Sequence, residues 1–258
     1  MTYQTIKVQE LFDGQVCEIT LDAPPANILT ARMMAEIEDR LGKERNKAGR
    51  KLIVFQGSGK NFCFGASVEE HQRDQVGDML PAFHRLIGKI LDYPVPTLAK
   101  VSGQCLGGGF EIALACTFVI ADEGANFAVP EIKLGVFPPV AALLLPWTVG
   151  SARANRLVLT GDGMGAKALH QAGFVDTLAP AGKLDNVLAD FIENQICPKS
   201  ASSLSIAHRA ARLPLIRHYN EHIGNLERLY LDELMASYDA NEGIAAFLEK
   251  RKPEWKHA

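Results

Sequence analysis

At 258 residues, with 47% hydrophobic and 22% charged side chains and a formal net charge of −3, the chain has an ordinary globular composition. A chain this long buries roughly 70–75% of its unfolded surface in one folded unit. The charge balance excludes a nucleic-acid partner, and no apolar run reaches the about 18 residues of a membrane span. The start MTYQTIKVQELFDGQ lacks the basic and apolar regions of a secretion signal, so a cytoplasmic protein is expected.

The first elements follow from periodicity. IKVQEL and QVCEITL alternate with period two around the turn signal Asp13-Gly14, which predicts a β-hairpin. After Pro24-Pro25, residues 30–48 carry apolar positions at helical spacing, and KLIVFQG reads as a buried strand. The cycle then repeats: MLPAFHRLIGKILDYP is a helix stopped at Pro94, PTLAKVSG a strand, GGFEIALACT a helix and TFVIADEG a strand. Alternating βα units predict an α/β protein with a layered parallel sheet. Beyond about residue 145 helical patterns dominate, with helices predicted over 151–172, 183–195, 200–212, 217–237 and 240–250.

Two carboxylates draw attention. Between Lys100 and Asp122, Glu111 is the one charged residue, set just after Gly107-Gly108-Gly109. That is expensive unless the carboxylate has partners. It could be an acid in the first turn of a helix after a tight turn. Equally, glycines that let a ligand approach backbone N–H groups are what an oxyanion hole needs. The run lacks the order of a phosphate-binding loop. The second carboxylate is Glu131 in NFAVPEIKLGVFPPVAALLLP, where an apolar wall would raise its pKa, although a solvated glutamate paired with Lys133 is the alternative. Gly65-Ala66 in GSGKNFCFGASVEEH supplies a third small-residue approach.

Other groups are weaker. The cysteines Cys17, Cys63, Cys105, Cys116 and Cys197 are odd in number, without Cys-x-x-Cys, and read as reduced packing residues. His218 and His222 stand four apart on a predicted helix, but no third ligand pattern supports zinc, and no metal site is expected. Glu69, Glu70, His71 and Asp74 suit a solvated helix face as well as an acid–base role.

KNFCFGAS, GQCLGGGFE and VPEIKLGVFP, in this order and separation, together with the C-terminal AFLEKRKPEW, resemble the signature blocks of the enoyl-CoA hydratase/isomerase (crotonase) family over nearly the whole chain. The resemblance implies repeated ββα units forming a spiral core over residues 1–195 and a C-terminal helical trimerisation region over 196–258, assembled as a homo-hexamer of two stacked trimers. It implies an acyl-CoA substrate, no separate cofactor, and an oxyanion hole at the N–H groups of Ala66 and Gly108. Glu111 and Glu131 match the catalytic acid–base pair. The CoA moiety would run along Ala26 and Asn27 and past Phe64 and Ser67, with Phe247 and Lys250 of the tail reaching a neighbour's CoA.

The chain also departs from the family pattern. Pro138-Pro139-Val140-Ala141-Ala142 stands where hydratases commonly carry Pro-Gly-Ala-Gly-Gly, and Pro139 has no N–H to offer a water. Ala66-Ser67-Val68 replaces Ala-Asp-Ile, and Asn27-Ile28-Leu29 replaces Asn-Ala-Leu. FGASVEEH, GVFPPVAALLLP and SASSLSIAHRAAR are most similar to the hydratases that act on cyclohexa-1,5-diene-1-carbonyl-CoA in anaerobic aromatic degradation. An apolar loop from Pro139 to Leu145, with Val140 and Leu143 on the wall, would suit a six-membered ring. The alternatives are a straight-chain 2-enoyl-CoA hydratase or isomerase and a noncatalytic scaffold, against which the two retained glutamates argue.

Overall fold

A computed structural model describes residues 2–258. The hairpin forms as expected: β1 (Ile6–Leu11) pairs antiparallel with β2 (Val16–Leu21), and Phe12, Asp13 and Gly14 all take positive φ in the turn. β1 is an edge strand with an alternating pattern of exposure, whereas β2, paired parallel on its other side with β3 (Leu52–Gly57), is buried on both faces, Cys17, Ile19 and Leu21 in one apolar cluster and Val16 in another. Between them runs α1 (Ala31–Glu44), its N-terminus capped by the Thr30 hydroxyl, which accepts from Met33 N–H.

The rest of the core is a repeated ββα winding. α2 (Val76–Leu91) leads to β4 (Thr97–Val101), which pairs parallel with β3. The chain then turns into β5 (Gln104–Leu106) and α3 (Gly108–Ala115). The next turn repeats the order with β6 (Phe118–Asp122), β7 (Asn126–Ala128), a 3-10 turn over Pro130–Leu134 and α4 (Pro139–Val149). In each turn the first strand joins one sheet and the second another: β4 pairs with β6 while β5 pairs with β7. The bridge between Cys63 and Cys105 is the same second position in the turn that β3 begins. Parallel pairing between successive turns is what makes the winding a spiral.

Past α4 come α5 (Ser151–Thr160), β8 (Gly163–Gly165), α6 (Ala166–Gln171) and β9 (Thr177–Ala179), so the expected helix over 151–172 is two helices. Gly161, at φ +63°, ends α5, and β8 closes a three-stranded sheet β5-β7-β8. β9 completes the six-stranded sheet in the order β1-β2-β3-β4-β6-β9. α7 (Leu184–Phe191) covers the outer face through Leu184 and Leu188, against Val16, Val54, Leu98 and Ile120.

The helices expected over 200–212 and 217–237 are one, α8 (Ala201–Arg228), which passes through Pro214 and continues as a π-helical turn over Leu229–Glu233. Packing on α2 and α4 compensates for the backbone bond that Pro214 removes. Tyr219, Tyr230, Met235 and Ile244, the last from α9 (Tyr238–Leu248), join the same apolar core as β3 and α3. No helix of the described residues is long and apolar enough to cross a membrane.

Candidate active site

The site is built where three backbone turns meet. Gly107 ends β5 at φ +49° and ψ −126°, a conformation that a side chain resists. Its N–H donates to Ala128 O at 2.9 Å, tying the turn to β7, and α3 starts at the next residue. An N-terminal helical N–H has no partner in its own helix, so that of Gly108 is free for a ligand. On the other side, Leu29 bridges to Ala66: Leu29 N–H donates to Gly65 O and Ser67 N–H to Leu29 O. Strand geometry then turns the Ala66 N–H away from Leu29. A Cβ added to Gly108 would lie 3.2 Å from Ala66 N, so the two N–H groups are neighbours, as an oxyanion hole requires.

Glu111 occupies the first turn of α3 and is 4% exposed. Its Oε1 accepts from Ala141 N–H at 2.8 Å. The expected apolar loop from Pro139 to Leu145 is therefore corrected: it is the first half of α4, with Pro139 at its N-terminus, where a missing N–H costs nothing. The free N–H groups of α4 point at Glu111, so one helix N-terminus holds the carboxylate of another helix. Val140 and Leu143, expected on the acyl wall, are not on it; they are buried in the core, and Val140 acts on Glu111 through its backbone N–H.

Glu131 sits in the 3-10 turn after β7. Its Oε2 is buried with no hydrogen-bond partner, and a Cβ on Gly107 would lie 2.6 Å from its Oε1. It forms no ion pair with Lys133. Both carboxyls are held well above the usual range. Burial is the main cause for each; the charge of Glu111 pushes Glu131 further up, while the N–H groups of Ala141 and Val140 hold Glu111 partly back.

The two glutamates, Ala66 and Gly108 open into one cavity of about 470 Å³. Its walls include Phe83, Phe137, Pro138 and Pro139, and the exposed Phe64 and Phe247 flank it. Other expected contacts fall outside the lining. The Asn27 side chain is spent on Ala23 N–H and on the carbonyls of Ser58, Asn61 and Phe62, and its backbone N–H donates to Ala23 O at 2.8 Å. The Ala26 carbonyl accepts from Phe64 N–H, and Ser67 Oγ donates to Glu69. Lys250 is exposed; its neighbour Arg251, held by Glu242 and Glu249, lines the cavity instead. Past α9 the chain folds back on it, where Asp239 accepts from Lys256 and His257 N–H.

Sequence reasoning did not single out Tyr230, Arg251 or the α4 N-terminus, and it left His71 undecided. His71 lines the cavity, its Nδ1 donating to Ser67 O. Glu10, Cys17 and Glu44 come close enough to hold a metal, but Arg40, Lys47 and Arg50 already neutralise the carboxylates. His218 packs against Trp147 and, edge-on, against His222, without an acidic or thiol partner among the described residues. The five cysteines are free.

A ββα spiral with two convergent backbone N–H groups beside a buried acid pair defines an acyl-thioester enzyme of the crotonase type. The family model described as Enoyl-CoA hydratase/isomerase matches residues 12–258, and the chain belongs to that family of enzymes. A cyclohexa-1,5-dienecarbonyl-CoA hydratase of Thauera aromatica is 41% identical over 245 residues, covering 95% of this chain and 94% of the relative. A probable enoyl-CoA hydratase of Mycobacterium bovis is 35% identical over the full length of both. The crystal structure of a carnitinyl-CoA hydratase from Mycobacterium avium superposes with a TM-score of 0.86 at 29% identity, covering both chains completely.

Proposed function

We propose that the protein adds water to cyclohexa-1,5-diene-1-carbonyl-CoA, giving 6-hydroxycyclohex-1-ene-1-carbonyl-CoA. The observation that carries the reading is a pair of buried carboxylates, without a cation between them, facing the N–H groups of Ala66 and Gly108 in an apolar cavity. The thioester oxygen accepts from both N–H groups, each worth about 3 kcal/mol as the oxygen becomes enolate-like. Glu111, stabilised as an anion by α4, takes a proton from the substrate water, whose oxygen bonds to the ring carbon β to the carbonyl. The electron pair passes through the dienolate, and Glu131, whose Oε2 has no donor, gives its proton to the far carbon of the second double bond. Charge and atoms balance, and the reaction needs no cofactor beyond the thioester.

Phe83, Phe137, Pro138 and Pro139 offer apolar contact on the scale of a ring. The CoA moiety is assigned to Phe64, Phe247, Ser67, Lys250, Ala26 and Asn27. Assembly as a hexamer of two trimers, with residues 196–258 as the trimer contact, belongs to the same reading; α8 leaves Ile206 and Leu213 exposed for it. The second reading, a straight-chain 2-enoyl-CoA hydratase, is favoured by the name of the 35% identical relative.

Purified protein given the cyclic dienoyl-CoA and crotonyl-CoA in parallel separates the two. The ring thioester is expected to gain the mass of one water with kcat/KM at least about tenfold above crotonyl-CoA. The reverse preference selects the straight-chain reading, and no mass gain with either substrate defeats hydration altogether.

A further inference from the structure

The cavity holds a polar group that the proposed reaction does not yet use. Tyr230 is 1% exposed, yet its hydroxyl has no hydrogen-bond partner among the described residues. Buried hydroxyls almost always find one. Tyr93 and Tyr219, equally buried, do: Tyr93 donates to Leu41 O and Tyr219 to His84 O, each at 2.8 Å. Tyr230 instead lines the cavity shared with Glu111 and Glu131, and Glu131 Oε2 is the other unpartnered buried atom in it.

Two features fix the ring there. It packs on Phe137 with centroids 5.4 Å apart and planes at 57°. It is also carried by the π-helical turn at Leu229–Glu233, a local change of helical winding that re-aims side chains and recurs at functional sites. The phenol stays protonated, since burial and the charges of Glu131 and Glu111 raise its pKa far above the working range, so it acts as a hydrogen-bond donor.

An unpartnered donor on a residue that lines this cavity, close enough to both carboxylates to feel their charge, needs an oxygen to receive it. The thioester oxygen already has Ala66 and Gly108. The other oxygen in a hydration is the one being added, and it lies beside the carboxylates. We propose that Tyr230 Oη donates a hydrogen bond to the oxygen that hydration places on the β-carbon, orienting the water before addition and recognising the hydroxyl afterwards. This rests on the hydratase reading above but not on the choice of ring over straight chain.

Tyr230→Phe removes the hydroxyl and keeps the ring against Phe137. Affinities are measured for two matched pairs: 6-hydroxycyclohex-1-ene-1-carbonyl-CoA against cyclohex-1-ene-1-carbonyl-CoA, and 3-hydroxybutyryl-CoA against butyryl-CoA. In at least one pair the variant is expected to lose about tenfold for the hydroxylated thioester while binding its partner within about twofold, and kcat for hydration falls by a similar factor. Equal loss for both members of each pair, or no loss in either, overturns the proposal. If wild-type protein hydrates neither substrate, the hydratase reading fails, but the pairwise affinities still decide whether Tyr230 reads a hydroxyl.

Discussion

Glu44 and Glu111 are equally hidden, 3% and 4% exposed, yet they sit in opposite surroundings. Glu44, at the end of α1, is clasped by Arg40 at 2.6 Å and by Arg50, and Arg50 also pairs with Glu10 at 2.8 Å. Glu111 has only the backbone N–H groups of Ala141 and Val140 and, across the cavity, a second carboxylate. Burying a charge is costly wherever it occurs, and the first cluster offsets that cost with counter-charge. The second leaves it standing, which is useful only if the charge is to move. Counter-ions therefore separate a carboxylate that holds the hairpin to α1 from one that can exchange protons with a ligand.

The comparison breaks most visibly in turnover. Glu111→Gln and Glu131→Gln should each lower kcat by about 10²–10⁴-fold, because proton transfer is lost while shape is kept. Acyl-CoA affinity should change little. Steady-state kinetics alongside a binding titration checks both, and turnover within a few-fold of wild type in both variants would remove the acid pair from the mechanism.

In the other cluster the effect should fall on stability alone. Glu44→Ala leaves the guanidinium of Arg50, 1% exposed, with only Glu10 and the Gly14 carbonyl. A loss of about 3 kcal/mol is expected, read as a lower denaturant midpoint. Well below the unfolding transition, kcat/KM should match wild type. A drop in kcat/KM without a drop in stability would mean that the two clusters are not separate.

How much of this was legible beforehand follows the same division. The strand β1 and the helices α1 and α2 were readable because their apolar periods match their burial, and β2, β3, β4, β6 and α3 because turn residues bound their apolar runs. Glu111 was suspicious from its isolation among apolar residues, and the oxyanion pair came with the family blocks. The short strands β5, β7 and β8 were not readable, since three residues carry no period. α4 was missed because two prolines precede an unbroken apolar run, which has no polar face to mark a helix. Tyr230 was invisible for another reason: in LERLYLDEL it falls on the buried stripe of a helix, and only the three-dimensional neighbourhood distinguishes a packing tyrosine from one that lines a cavity with its hydroxyl unpartnered.

The smallest expected effect is also the one in which the two clusters should have opposite signs. Burial raises Glu111 and Glu131 above the 4.5 of an unfolded glutamate, so between that value and their folded values the folded protein holds protons that the unfolded chain has released. Their favourable contribution is complete below about pH 4.5 and is lost as pH rises through the folded values. Glu10 does the reverse: desolvation notwithstanding, Lys47 and Arg50 hold its carboxyl below the ordinary range, and its contribution is lost as pH falls. Doubly substituting Glu111→Gln and Glu131→Gln removes only the first contribution. The variant should melt close to wild type near pH 5 and increasingly above it towards pH 9, by an amount on the order of 1–3 kcal/mol at one pKa unit per about 1.4 kcal/mol. Melting curves across that range test the sign directly, and an advantage that stays flat or shrinks with pH would mean that the acid pair is solvated rather than buried.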